Sequence, residues 1–164
     1  MKIQGRKFTF WKSQRRLPNG VSVQLDYIEH PGAALIVPIL NKNTLIMLRQ
    51  YRAVLKRYLF ELPAGTLDRG ERPLQCAQRE LVEETGYAAR RFKKLGFIYP
   101  VPGYSDEIIY IYQAEDLSHR VGQKDADEIL HPRVFSRTQI RRMFRAGQIR
   151  DAKTICGLTL AGWL

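Results

Sequence analysis

Glu80, Glu83 and Glu84 fall within five residues of one another, directly after Arg79 and nine residues beyond Glu71. On a helical wheel with Glu80 at zero, Glu84 lies near roughly +40° and Glu83 near roughly −60°. Leu74, Ala77 and Leu81 lie between about +60° and +120°. One face can therefore enter a core while the adjoining face presents three carboxylates. Crowded carboxylates repel and resist full ionisation, and a divalent cation relieves that conflict. Oxygen-only ligands select a hard ion, Mg2+ or Mn2+, over zinc. Arg79 stands one turn before Glu83, where an i,i+4 ion pair can hold the carboxylate's orientation. Taken alone, Glu83-Glu84 is no more than a solvated acidic helix face.

The flanks supply a frame for that helix. Pro73 suits its first turn and Gly86 the position just past its end. Upstream, Phe8 to Lys12 is strand-like and Pro18-Asn19-Gly20 is a turn signal. Val21, Val23, Leu25 and Tyr27 then alternate with polar residues, as in a half-buried strand. Ala33 to Leu40 reads as a buried strand in which Pro38 removes a ladder donor, pointing to an edge or a bulge. Asn41-Lys42-Asn43 turns the chain into a strand over Thr44 to Gln50. Two strands are predicted near Phe92 to Tyr99 and Glu107 to Gln113, and then a polar loop from Glu115 to Glu128. Ser136 with Gln139 fits a capping box. It opens a helix with Ile140, Met143 and Phe144 inward, ended by Gly147. Asp151 is placed to cap a last short helix. Strands before and between helices predict an α/β architecture, a mixed sheet covered by helices.

The chain has 164 residues with 27 Lys+Arg against 16 Asp+Glu, a formal net charge of +11. A single soluble domain over 1–164 with a sizeable core is expected. Two cysteines, Cys76 and Cys156, match no ligand spacing and read as reduced thiols of a cytoplasmic protein. The longest apolar run, Ala33 to Leu40, is too short to cross a bilayer, and no signal peptide is evident. The positive charge attracts polyanions. Its basic residues nevertheless fall in short dispersed pairs such as Arg15-Arg16 and Arg141-Arg142, so a nucleic-acid partner is not expected.

The whole pattern exceeds the acidic face. Gly65, Glu71, Arg79, Glu80, Glu83, Glu84 and Gly86 at fixed spacing are a chance match on the order of 10⁻⁸ per start. The stretch Gly65 to Tyr87 resembles the Nudix box, Gly-x5-Glu-x7-Arg-Glu-U-x-Glu-Glu-x-Gly-U, where U is bulky and apolar. Every fixed position is met, with Tyr87 an aromatic at the last U. The resemblance implies an α/β/α sandwich around a mixed sheet and hydrolysis of a nucleoside diphosphate linked to another group X. It implies metal ligation by Glu80, Glu84 and Glu83 and by the Ala64 carbonyl, with Glu71 in support and Arg79 and Glu83 in the catalytic group. Arg49-Gln50-Tyr51-Arg52, Glu61-Leu62-Pro63-Ala64-Gly65, Pro102 fifteen residues past Tyr87, and Gly147 to Thr154 resemble the ADP-ribose pyrophosphatase and nucleotide-sugar hydrolase branch.

That branch implies further roles. Arg52 is expected to reach the terminal phosphate, and Glu107 to line the site or pair with a nearby base. The general base is expected in the loop holding Asp125, Asp127 and Glu128, with Glu128 the choice. Tyr27 and Trp11 are available to stack a nucleobase, but Leu25 and Asp26, not an arginine, precede Tyr27. An N-terminal strand segment, about 1–30, is expected to serve a homodimer. His30, His119 and His131 read as structural or surface residues. The rivals are a pyrophosphohydrolase of RNA 5′ ends and a non-catalytic nucleic-acid-binding protein of this fold. The intact box argues against the second.

Overall fold

The computed structural model describes residues 1–122 and 128–164. β1 (Lys2–Gln4), β2 (Thr9–Arg16) and β3 (Ser22–Glu29) form a three-stranded antiparallel sheet. The main sheet contains β4 (Ala33–Asn41), β5 (Thr44–Arg52), β8 (Tyr87–Ile98), β9 (Ile109–His119) and β10 (Leu130–Ser136), in the order β10-β5-β4-β9-β8. Two short strands attach to it: β6 (Arg57–Glu61) pairs with β5, and β7 (Ala64–Thr66) with β4. Among the described strands of this sheet only β4 and β9 run parallel, so the sheet is mixed. The helices are α1 (Pro73–Thr85), α2 (Arg137–Arg145) and α3 (Ala152–Leu160).

β4 shows why the sheet is covered on both faces. Its apolar run sends alternate residues to opposite sides. Leu35 and Val37 pack in one core with Ile140 of α2 and Leu158 of α3. Ala34 and Ile36 pack in a second with Cys76, Ala77 and Leu81 of α1. Each fully buried Leu or Ile contributes about 1.5–3 kcal/mol, which makes this strand a principal anchor. The α/β/α sandwich is the result. β4 is central rather than at an edge, and the bulge foreseen at Pro38 falls next to it, between Ile39 and Asn41.

After their hairpin, β4 and β5 part. β4 takes β7 through Ala33–Leu35, and β5 takes β6 through Leu48–Arg52. The corner at Leu62-Pro63 bridges the split and carries Ala64 towards α1.

Several expectations change. Leu74 is 40% exposed, and Cys76 is fully buried in the face turned to the sheet. Phe144 is likewise 39% exposed, leaving Ile140 and Met143 as the buried pair of α2. β8 starts at Tyr87, straight after Gly86 closes α1 in a left-handed turn. β9 runs on to His119, which shortens the loop foreseen from Glu115. Both predicted caps are present: Ser136 accepts from the Gln139 amide, and Asp151 from the Thr154 amide. No helix among the described residues is long and apolar enough to cross a membrane.

Candidate active site

Glu84 sits at the centre of the buried arc of α1, between Ala77 and Leu81 on one side and Cys76 on the other. It is 2% exposed, and its Oε2 accepts the Ala64 N–H at 2.8 Å. Glu80 lies one turn earlier beneath the same strand. A Cβ on Gly65 would stand 1.7 Å from Glu80 Oε1, so only glycine lets this carboxylate lie against the loop. The Cys76 thiol donates to the Gly65 carbonyl at 3.4 Å, and burial pushes it up to about 12, leaving it a neutral packing group.

Arg79 organises the remaining carboxylates. Its Nη1 donates to Glu80 at 2.6 Å and to Glu83 at 3.0 Å, and its Nε and Nη2 grip Glu71 at 2.9 Å. The i,i+4 pair read from the sequence is present, as one arm of a larger fork. Hydrogen bonding to Arg79 holds Glu71 below the usual carboxylate range despite its partial burial. Glu80 goes the other way. Burial pushes it up to about 7, the charges of Glu83 and Glu128 push in the same direction, and Arg79 opposes them. Burial, and then the Glu80 charge, raise Glu84 well above its ordinary range.

These two shifts have a measurable consequence. A glutamate in the unfolded chain titrates near 4.5, so between about pH 4.5 and 7 the metal-free fold binds more protons than the unfolded chain. Its stability therefore falls as pH rises through that window. At about 1.4 kcal/mol per pH unit, Glu80 alone accounts for about 3 kcal/mol. Glu61 and Glu71, held low, act below the window and with opposite sign. Thermal melts in a chelator should show a lower midpoint at pH 7.5 than at pH 5, with Mg2+ restoring stability only at the higher pH. A metal-free midpoint that is flat across the window would contradict this electrostatic picture.

A cavity of about 700 Å³ opens over this cluster. Ala64, Arg52, Glu80, Glu83, Arg79, Glu107 and Glu128 all line it. Of the sequence candidates for the general base, Glu128 is at this wall, whereas Asp125 and Asp127 lie outside the described residues; Glu107, expected to line the site, is at the wall as well. Glu107 Oε1 is 3.7 Å from His30 Nδ1. That nitrogen accepts the Gly32 N–H at 3.1 Å, so His30 serves as a local structural brace. Tyr87 and His119 stack with ring centroids 4.2 Å apart, and His131 is exposed.

Two residues of the site carry little local signal. Glu61 is 1% exposed and receives both Arg52 Nε at 2.8 Å and Nη2 at 2.6 Å. Lys153 of α3 pairs with the same carboxylate and also with Asp151 at 2.8 Å. Burial raises Glu61, but Arg52 and Lys153 outweigh it and the net shift is downward. Thr154 Oγ1 accepts the Leu62 N–H at 2.8 Å, so the start of α3 clamps the corner that presents Ala64.

Tyr27 and Trp11 lie apart from these carboxylates. Tyr27 belongs to a second cleft with Tyr99, Tyr104 and Arg15. The arginine missing from its own strand comes from β2: Arg15 Nη2 donates to the Tyr27 hydroxyl at 2.7 Å, and its guanidinium lies 4.7 Å from the ring centre. Trp11 instead donates to Glu29 at 2.7 Å beneath Lys2. Segment 102–107 divides the two hollows, with Asp106 facing the cleft and Glu107 the cavity.

The model of the NUDIX domain matches residues 29–157. This chain is a member of the Nudix family. It is 34% identical to the ADP-ribose pyrophosphatase of Bacillus subtilis (strain 168), over 93% of this chain and 83% of that protein. It is 32% identical to the GDP-mannose pyrophosphatase of Citrobacter koseri over 76% of this chain and 69% of that one. The crystal structure of an ADP compounds hydrolase superposes with a TM-score of 0.82 at 26% identity, covering 97% and 86% of the two chains. The Nudix chain is thus a pyrophosphohydrolase related to ADP-ribose and GDP-mannose pyrophosphatases.

The donors of this Nudix site suit a hard divalent cation. A buried carboxylate, Glu84, and a half-buried one, Glu80, stand one turn apart and face a backbone loop, and the glycine cradle leaves room for Glu80. Among the described residues, no three acidic, imidazole or thiol groups are gathered into a ready-made shell. Arg79 holds Glu71, Glu80 and Glu83 instead.

Proposed function

We propose that the chain hydrolyses the pyrophosphate bond of ADP-ribose or a nucleotide sugar, releasing a nucleoside monophosphate and a sugar phosphate. The placement of Glu80, Glu83, Glu128, Arg52 and Ala64 around one cavity carries this reading. Glu80, Glu83, Glu84 and the Ala64 carbonyl would hold Mg2+ or Mn2+, which when bound neutralises the bridging phosphates and favours attack by water. Arg52, kept rigid by Glu61, orients the terminal phosphate. Arg79 keeps Glu80 and Glu83 in place, and Glu128 takes the proton from the attacking water. Glu107 lines the substrate's path. The Tyr27 ring, beneath Arg15, stacks the base in the adjacent cleft. The N-terminal sheet, with Ile3, Phe8 and Val21 exposed, serves contact between two copies in a homodimer.

The rival substrate, the 5′ end of RNA, draws on basic charge. α2 does collect Arg137, Arg141, Arg142 and Arg145, more than the dispersed pairs suggested. Two of the four serve the C-terminus: Arg137 lies over the Trp163 ring at 4.4 Å, and Arg141 donates to the Trp163 carbonyl at 3.1 Å. The test is product analysis with Mg2+ across ADP-ribose, GDP-mannose, other nucleotide sugars and capped RNA. Nucleoside monophosphate should appear fastest from a nucleoside diphosphate compound. Faster turnover of capped RNA would overturn the proposal.

A further inference from the structure

Six cationic side chains line the catalytic cavity, and four are already committed. Arg79 carries Glu71, Glu80 and Glu83, while Arg52 and Lys153 share Glu61. Arg6 is engaged as well. The side chains of Lys7 and Arg69 have no ion pair or hydrogen bond among the described residues, yet both face this cavity.

Their backbones are held. Lys7 rides the turn between β1 and β2 that the Gly5 N–H closes on the Phe8 carbonyl at 2.9 Å. Arg69 rides a turn before α1, where the Glu71 N–H meets the Asp68 carbonyl at 3.0 Å and the Asp68 N–H meets Glu71 Oε2 at 3.0 Å. Gly70, at φ 79°, supplies the left-handed residue of that turn. Two separate parts of the chain thus carry unmatched positive charge to one hollow, whose volume exceeds what a diphosphate fills.

We infer that Lys7 and Arg69 form a subsite for a phosphoryl group additional to the diphosphate. This rests on the pyrophosphohydrolase reading and extends its substrate class to nucleoside diphosphate compounds phosphorylated again, on the nucleoside ribose or on the group X. An ammonium and a guanidinium suit such a dianion, and charge-assisted hydrogen bonds are the stronger kind.

Calorimetric binding to the full chain with Mg2+ tests this without turnover. Adenosine 2′,5′-bisphosphate against AMP probes the nucleoside side. Ribose 1,5-bisphosphate against ribose 5-phosphate probes the X side. In one of the two pairs the bisphosphate should bind about tenfold tighter, and the preference should shrink as salt rises. Lys7→Ala and Arg69→Ala should each reduce that ratio, and the double variant should bring it near one. Equal affinity within both pairs, or a preference that survives the double substitution, would overturn the subsite. Failure of the wild-type chain to release nucleoside monophosphate from any nucleoside diphosphate compound, with the ratio and its loss in the variants intact, would instead count against the pyrophosphohydrolase reading.

Discussion

Glu84→Gln should lower turnover by about 10³-fold or more while the fold stays intact. Removing one charged ligand forfeits several kcal/mol of transition-state stabilisation, and each 1.4 kcal/mol is about tenfold in rate. The surroundings of this side chain make the experiment clean. Glu84 is buried, accepts the Ala64 N–H, and titrates well above its ordinary range. Burial therefore favours the neutral carboxyl here in the metal-free enzyme, and glutamine reproduces its shape and neutrality. Its amide oxygen can still accept from Ala64. The variant should melt at or above the metal-free wild type at pH 7.5, and the rise in melting temperature produced by Mg2+ should be lost. Turnover near wild type, or an undiminished response to Mg2+, would remove Glu84 from the metal site.

The local parts of this site were legible because they obey short-range rules. Pro73 and Gly86 bracket α1, Ser136 and Gln139 open α2, and Asp151 opens α3, all within a few residues of what they satisfy. The wheel placed the carboxylates correctly relative to one another. It failed at Leu74 and Cys76 because it centred the inward arc on the larger side chain. The sheet draws α1 in so that Cys76 meets the Gly65 carbonyl, and the arc rotates towards the carboxylates, taking Glu84 into the interior.

Longer-range features had no comparable signal. Glu61 and Lys153 are 92 residues apart, and neither a helical nor an alternating period links them. The flanks resembling the ADP-ribose branch contained both, which marked the segments but not the contact. β8 was read short because its first half, Tyr87 to Arg91, is mainly small or basic and shows no apolar alternation. β10 was missed for a related reason. Among the described residues it pairs with β5 alone, so Pro132 costs it little and Val134 stays exposed. The partner of Tyr27 was sought along its own strand, whereas pairing with β2 brings Arg15 from across the hairpin.

Glu128→Gln should lower kcat by about 10²–10⁴, the usual size of a general-base effect, and leave metal binding nearly unchanged. Glu128 lines the cavity, and its charge contributes to the upward shifts of Glu80 and Glu84. Its chain position is fixed from the C-terminal side. The next residue, Ile129, accepts the Tyr51 N–H through its carbonyl at 2.9 Å. On the other side of the loop, Gly122 passes so close to α1 that a Cβ would stand 2.6 Å from the Val82 carbonyl. The carboxylate is thus delivered to the same cavity wall as Glu80 and Glu83 and stays partly exposed, as a proton acceptor for an incoming water needs. Losing its charge should also ease the ionisation of Glu80, so Mg2+ affinity should hold or rise slightly even as turnover collapses. The pH profile separates this role from a structural one, because the acidic limb of kcat should flatten in the variant and return in Glu128→Asp at reduced rate. Asp125→Asn and Asp127→Asn should cost less. A harmless Glu128→Gln beside a crippled Glu107→Gln or Asp125→Asn would move the base to that residue and leave the rest of the site as described.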